Sequence, residues 1–475
     1  MCKRIPSRAW VAMMIFWGTF VNYMFRSHYQ ISLLAMMAPR NNETVGDFGP
    51  RFDWSYEWEQ QSISALFYGL TLISLPAGFI ISWFGPWHVL FWSTLIMAIS
   101  SDIVVPMAKF VGPGAVFTMR FIVGMMVGLQ YPAMQNLASN WAPPKEKGKF
   151  MSCLMGNAFG SIITMPLTSL IIEQLGWSWS FYYLTLIAAL FCIALYLLVA
   201  DHPREYRWIR QEELEMIEES HLGTVNTSSK KENLLGLLSS NTKICPTKAM
   251  SLISGNPPYL KMLVSRPFWA VIVAQFGNQY NLFLALTTAP QYLKRRLKFN
   301  LKASAGIAAL PHVARLLFGF TYGFINDLLL KKGVPKATCR RVFTIFSHIL
   351  TGSSLCLFLA IGDCAACAVL LLVVMMVFNG AAVASVLINP QDLTPNWSGT
   401  TYSIMNFFGS WGGFIGPTLV SELTQENTIG EWAVVFSIGG IIGILTGIFF
   451  IFFGEFEIQP WNEPKQQAEE TVINK

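Results

Sequence analysis

Three arginines stand apart from the other charges in this sequence: Arg26, Arg120 and Arg315. Each lies inside a long apolar run. In "TMRFIVGMMVGLQYPAMQNLASNWAPP", beginning at Thr118, no acidic residue accompanies Arg120. A guanidinium is a planar fork of donors that holds a carboxylate or phosphate through two parallel hydrogen bonds. At the centre of a membrane helix an arginine costs about 2.5–3.5 kcal/mol. Each must therefore be braced by backbone carbonyls, snorkel to an interface, or face a wet cavity. Acids at matching depth are scarce. Asp102 is the clear candidate, whereas Glu173 and Glu422 fall near one set of run ends and Asp327 and Asp392 near the other. The excess of buried positive charge points to an anionic guest as the missing partner. His28 and His312 lie close by. Each reads as a hydrogen-bonded interior histidine, or as a group that titrates near neutral pH.

The elements that must position these residues are membrane helices. The chain has 475 residues, 53% hydrophobic and only 13% charged, with mean hydropathy +0.45. Soluble domains carry about 25% charged residues. Twelve apolar segments reach the roughly 20 residues that cross a bilayer. They fall near 10–37, 60–84, 87–108, 114–140, 149–173, 178–200, 267–290, 303–329, 341–362, 365–390, 399–422 and 432–454. Backbone polar groups must be satisfied inside lipid, so each is a helix. The expected fold is an all-α membrane protein of twelve transmembrane helices in two six-helix bundles. Residues 1–200 form the first bundle and 201–266 a cytosolic linker. Residues 267–456 form the second bundle and 457–475 a cytosolic tail. Within the linker, "WIRQEELEMIEES" reads as a short amphipathic helix. The first segment is too long for a cleavable signal peptide, and no A-x-A site follows it.

Charge sets the orientation. With both termini cytosolic, 22 lysines and arginines fall on the cytosolic side and 8 on the opposite side. This asymmetry follows the positive-inside rule and accounts for the pI near 8.8 without nucleic acid. The sequon at Asn42 then faces outward and accepts a glycan, while those at Asn226 and Asn396 stay bare. Glycines four apart, at 124 and 128, 156 and 160, 319 and 323, and 439, 443 and 447, read as close helix packing. Cys364 and Cys367 read as small buried thiols, with a local disulfide as the alternative. The outer cluster Lys294, Arg295, Arg296, Lys298 and Lys302 either concentrates anions at a mouth or is plain solvated loop. Gly78 before Ser82 and Gly323 before Asp327 occupy matching places in the two halves, as parallel transporter repeats do. No H-E-x-x-H, G-x-S-x-G, Walker or dinucleotide motif is present, so neither an enzyme nor an organic cofactor is expected.

These residues also resemble a known family. Arg120, Gly124, Gly128, Tyr131-Pro132-Ala133 and Trp141-Ala142-Pro143-Pro144-Lys145-Glu146 carry the strongest likeness. Gly176-Trp177, Phe181-Tyr182, "DHPR", Ala309-Leu310-Pro311-His312 and Gln459-Pro460-Trp461 add to it. The pattern is similar to that of the anion:cation symporters of the major facilitator superfamily. These include sialin, the vesicular glutamate transporters and type I sodium–phosphate cotransporters, and insect inorganic phosphate cotransporters share its flavour. The resemblance implies alternating access and symport of a small anion, inorganic phosphate or an organic carboxylate, with Na⁺ or H⁺. It places the family's two arginines on Arg26 and Arg120.

Departures from the pattern matter as much. His28 replaces an asparagine. Val127 stands where the family has a glutamate tied to proton coupling, which favours Na⁺ or the membrane potential as the drive. Asn278 replaces the arginine of glutamate-transporting relatives, and Arg315 replaces an apolar residue. The expected substrate-binding set is Arg26, His28, Arg120, Tyr131, Asn278 and Arg315. The expected protein is a monomeric multi-pass transporter of a plasma or vesicular membrane. A sensor or scaffold that keeps the fold without transporting is the alternative, favoured by Val127; a channel is disfavoured, since no ring of repeated polar residues suggests a filter.

Overall fold

The computed structural model describes residues 6–37, 49–143, 150, 153–154, 156–222, 258–362, 364–394 and 397–462. Among the described residues the regular structure is entirely helical. Asn42, Asn226 and Asn396 lie outside them.

The first half begins with α1, Ser7–Met36. Its first two amides, of Ser7 and Arg8, donate to the Glu213 carboxylate at 3.0 and 3.1 Å. Glu213 belongs to α8, Gln211–Leu222, the amphipathic helix expected in the linker. A carboxylate there neutralises the positive end of the α1 dipole. Helix α2, Tyr56–Ser74, starts at Ser55, whose hydroxyl accepts from the Trp58 amide. It breaks at Pro76, where no amide is available, and resumes as α3, Ala77–Phe84. Then come α4 Pro86–Phe110, α5 Pro113–Trp141, α6 Gly156–Leu175 and α7 Trp179–Leu198.

After the linker the chain re-enters with α9 Tyr259–Val264 and α10 Arg266–Phe283. A wide π turn, Leu284–Thr288, leads into α11, Ala289–Arg295. Helix α12, Leu301–Lys331, is continuous. The next run is α13 Lys336–Thr344, a second π turn Ile345–Leu350, and α14 Thr351–Cys356. Helices α15 Ala365–Asn379, α16 Asn389–Leu393, α17 Ser398–Gly409, α18 Gly412–Leu423 and α19 Ile429–Phe453 complete the chain.

Among the described residues, eight stretches are long and apolar enough to cross a membrane. The other four expected segments correspond to α1, α2–α3, α10–α11 and α17–α18. They fall short for two reasons: they are broken, or they bury polar side chains such as Asn22, Arg26, His28 and Gln30 in α1. Outward-facing Phe79, Leu186, Ile193, Phe324, Leu445 and Phe452 give the molecule an apolar exterior suited to lipid.

Within the first half α1 packs on α5, α6 and α7, and α5 packs on α2 and α4. Within the second, α10 packs on α17 and α19, and α12 on α15. The halves meet through α2 with α18 and α6 with α12. A methyl group at Gly124 would overlap the Leu66 carbonyl, so this glycine sets the α2–α5 approach. Gly323, by contrast, faces open space and packs against nothing, contrary to the glycine-pair expectation.

Two further expectations are corrected. Cys364 and Cys367 are not buried thiols: they form a disulfide at the start of α15, with Cα atoms 5.2 Å apart and Cys364 exposed. Arg340, which the expected bounds place just before the segment near 341–362, is not outside a helix. The helix begins at Lys336, so Arg340 lies on its second turn and is 2% exposed.

Candidate functional site

Arg340 shows what a structural arginine looks like in this fold. It donates to Asp392 at 2.8 Å, to the Asn326 side chain at 2.9 Å and to the Ala384 carbonyl at 2.9 Å. Its charge and donors are satisfied by a carboxylate and two neutral acceptors, which stitch α13 to α12 and α16.

Arg26 is different. It lies in the middle of α1, 5% exposed, over the Tyr23 ring at 4.8 Å, and its Nε is buried without a hydrogen-bond partner. Arg315, midway along α12 in the other half, donates from Nε to Asn379 at 2.9 Å. Asn379 in turn donates to Asn278 of α10 at 3.0 Å. The same three phenols, Tyr23, Tyr131 and Tyr402, lie near both guanidiniums. Tyr131 of α5 and Tyr402 of α17 stack across the boundary between the halves, ring centroids 6.0 Å apart. Among the described residues no carboxylate pairs with Arg26 or Arg315. Two cations, three phenols and two amides therefore converge from α1, α5, α10, α12, α15 and α17. Such a set donates hydrogen bonds and positive charge, and can neutralise an anion.

Arg120 occupies a separate place inside the first half. It is 1% exposed, lies over the Tyr29 ring at 4.0 Å and reaches the Phe25 carbonyl at 3.4 Å. No described carboxylate meets it either. His28 sits beside it, its Nδ1 3.3 Å from the Met24 carbonyl and its ring edge-on to Phe181. Val127 is fully buried, and its carbonyl accepts from Asn22 at 3.0 Å. Asp102 accepts from Thr185 at 2.8 Å between α4 and α7, away from the central groups. His312 is buried near Arg315.

Of the expected set, the structure brings Arg26, Arg315 and Tyr131 together and joins Asn278 through Asn379. It sets Arg120 and His28 apart. Tyr23, Tyr402 and Asn379 were not anticipated. In the sequence the tyrosines counted only as apolar mass, although a buried phenol needs a partner for its hydroxyl.

Toward the ends of α1 and α2 remote from α8 the interface is closed. Gln60 of α2 donates to Gln291 of α11 at 2.7 Å. Tyr56 meets Thr424 at 2.7 Å, and deeper in, Thr71 meets Ser410 at 2.6 Å. Glu59, 2% exposed, pairs with Arg295. Arg295 is therefore neither a loop cation nor an open anion collector. Lys302 makes only an exposed contact with Glu173 at 3.7 Å.

Apolar crossing helices around a polar centre shared by two halves define a multi-pass membrane transport protein. The Major Facilitator Superfamily model matches residues 15–417, and the chain belongs to that family. It is 29% identical to sialin of Ovis aries over 473 residues, covering 95% of this chain and 90% of that protein. It is 25% identical to vesicular glutamate transporter 2 of Bos taurus, covering 99% and 78%. These relatives are transporters, not enzymes. Among solved structures, the inward open xylose transporter of E. coli shares the fold with a TM-score of 0.64 at 16% identity, covering 98% of each chain.

Proposed function

We propose that the protein is a secondary-active symporter of small anions, with inorganic phosphate or a small organic carboxylate as cargo. The observation that carries this reading is the pair Arg26 and Arg315, contributed by opposite halves and lying near common phenols, with no described carboxylate paired to either. An anion bound there touches both halves at once, so its binding energy can drive their rocking. The chain would cross the membrane twelve times in two six-helix bundles, 1–200 and 267–456, with the site near the midplane. Tyr131 and Tyr402 lie on the α8 side of the two guanidiniums and would close over the guest. Arg120 and His28 would support the site from behind, fixing α1 against α5.

The α8 face would be cytosolic, with both termini, the 201–266 linker and the 457–475 tail on it. The Cys364–Cys367 disulfide supports this, because it lies on the opposite face, where oxidising conditions preserve such bonds. Asn42 would carry its glycan on that face. The membrane would be plasma or vesicular, and the protein a monomer coupled to Na⁺ or H⁺.

The test is uptake of radiolabelled phosphate, gluconate, succinate and glutamate into proteoliposomes under imposed Na⁺, H⁺ or potential gradients, one at a time. Saturable uptake of at least one anion, lost in Arg315→Leu with protein insertion intact, is the expected result. Binding of an anion without flux would favour the non-transporting sensor, and uptake unchanged in Arg315→Leu would remove that residue from the site.

A further inference from the structure

Glu59 is a carboxylate that the central site does not use. It sits on the first turn of α2, 2% exposed, on the face turned toward α11 of the other half. One carboxylate oxygen, Oε2, pairs with Arg295; the other, Oε1, is buried without a hydrogen-bond partner. Arg295 also lies over the Tyr56 ring at 4.5 Å, and its own Nε is buried and unpartnered. The pair lies next to the Gln60–Gln291 and Tyr56–Thr424 contacts that shut this end of the interface. Its arginine half is 23% exposed, so water reaches the pair from outside, while the carboxylate is hidden beneath.

Other groups act on Glu59 more weakly. Tyr29 of α1 and Tyr56 of its own helix lie near it, and Arg120 of α5 sits behind Tyr29. Glu431 at the start of α19 lies near Tyr56, and the end of α18 presents the Thr424 hydroxyl. Arg295 is thus the one cation in contact with the carboxylate among the described residues. A buried ion pair that loses one charge leaves the other uncompensated and is strongly weakened. That is enough to reverse a closure held by one such pair and a few neutral hydrogen bonds.

We infer that Glu59 is a proton-binding site that unlatches the outer end of the interface. The inference rests on the transporter reading and the orientation proposed above. A proton from outside adds to the carboxylate and makes an O–H bond on the oxygen that lacks a partner. The acid no longer holds the guanidinium by charge, and α2 parts from α11. Arg295 keeps its charge and, freed of Glu59, faces the opened vestibule, where it attracts the incoming anion. Loss of the proton restores the carboxylate and re-forms the latch. The chain thus carries an acid at the α2–α11 boundary while position 127 of α5 holds a valine.

The test is electron–electron spin-label ranging between labels at Val111 and Gln425, both exposed beside outer helix ends. The protein is reconstituted in nanodiscs, with its unpaired cysteines changed to serine. Wild type is expected to hold a short distance at pH 7.5 and to gain a longer one at pH 5.5. One proton site can shift the two populations by at most about tenfold per pH unit. Glu59→Gln is expected to show the long distance at both pH values. Arg295→Gln, which removes the latch from the other half, should do the same. A pH step in Glu59→Gln equal to that of wild type, or no step in wild type, would overturn the inference. Ranging reads opening without flux, so its failure is distinct from a failure to take up any anion in the uptake panel.

Discussion

Two layers of the boundary between the halves treat their arginines in opposite ways. In the outer layer Arg295 has a carboxylate, Glu59, and the layer is shut. In the central layer Arg26 and Arg315 have phenols and amides but, among the described residues, no carboxylate. Arg340, with Asp392 at 2.8 Å, repeats the outer pattern inside the second half. The difference teaches that the placement of the acids, more than that of the arginines, decides which cations remain for a guest. A buried cation with a built-in partner contributes to the fold. One without a partner costs the empty protein stability and regains it on binding.

Each substitution below tests one side of this contrast. Arg340→Leu should have the largest effect on the fold. It removes the buried partner of Asp392, which keeps, among the described residues, only the exposed Lys336 at 3.3 Å, and should lower stability by about 1.5–3 kcal/mol, read as a fall in melting temperature in detergent. Arg315→Leu should do the reverse. Stability of the unliganded protein should hold or rise, while anion affinity falls about 100-fold, equivalent to roughly 2.7 kcal/mol for the loss of charged hydrogen bonds. Arg120→Lys should fall between these. Losing the stack on Tyr29 should cost about 1–2 kcal/mol of stability with a smaller change in affinity than Arg315→Leu. Tyr402→Phe removes one hydroxyl from the central set and should weaken anion binding about fivefold, near 1 kcal/mol, with stability unchanged. If Arg315→Leu and Arg340→Leu behaved alike, the contrast between the two kinds of arginine would collapse.

Much of the scaffold was legible in the sequence, because a run of about 20 apolar residues has few alternatives to a helix. The three isolated arginines were legible for the same reason: charge stands out against lipid-soluble sequence. What escaped notice lay at helix ends and in ambiguous side chains. Segment two was read from residue 60, but Ser55 caps the helix and Tyr56 begins it, so Glu59 falls inside. Arg340 falls just before the segment expected near 341–362, yet the helix begins at Lys336. The π turns at Leu284–Thr288 and Ile345–Leu350 leave no mark in hydropathy, since they alter the backbone pairing rather than the residue types. The convergence of Tyr23, Tyr131 and Tyr402 depends on helices 100 or more residues apart in the chain, a distance across which periodicity carries no information.

The most direct test of the central layer is calorimetric titration of the purified, detergent-solubilised protein with phosphate, gluconate, succinate and glutamate. Wild type, Arg315→Leu and Arg26→Gln are compared at one ionic strength. The expected result is saturable binding of at least one anion to wild type, weakened about 100-fold in each variant while their melting temperatures hold. Equal binding in all three proteins would contradict the assignment of these two guanidiniums to an anion.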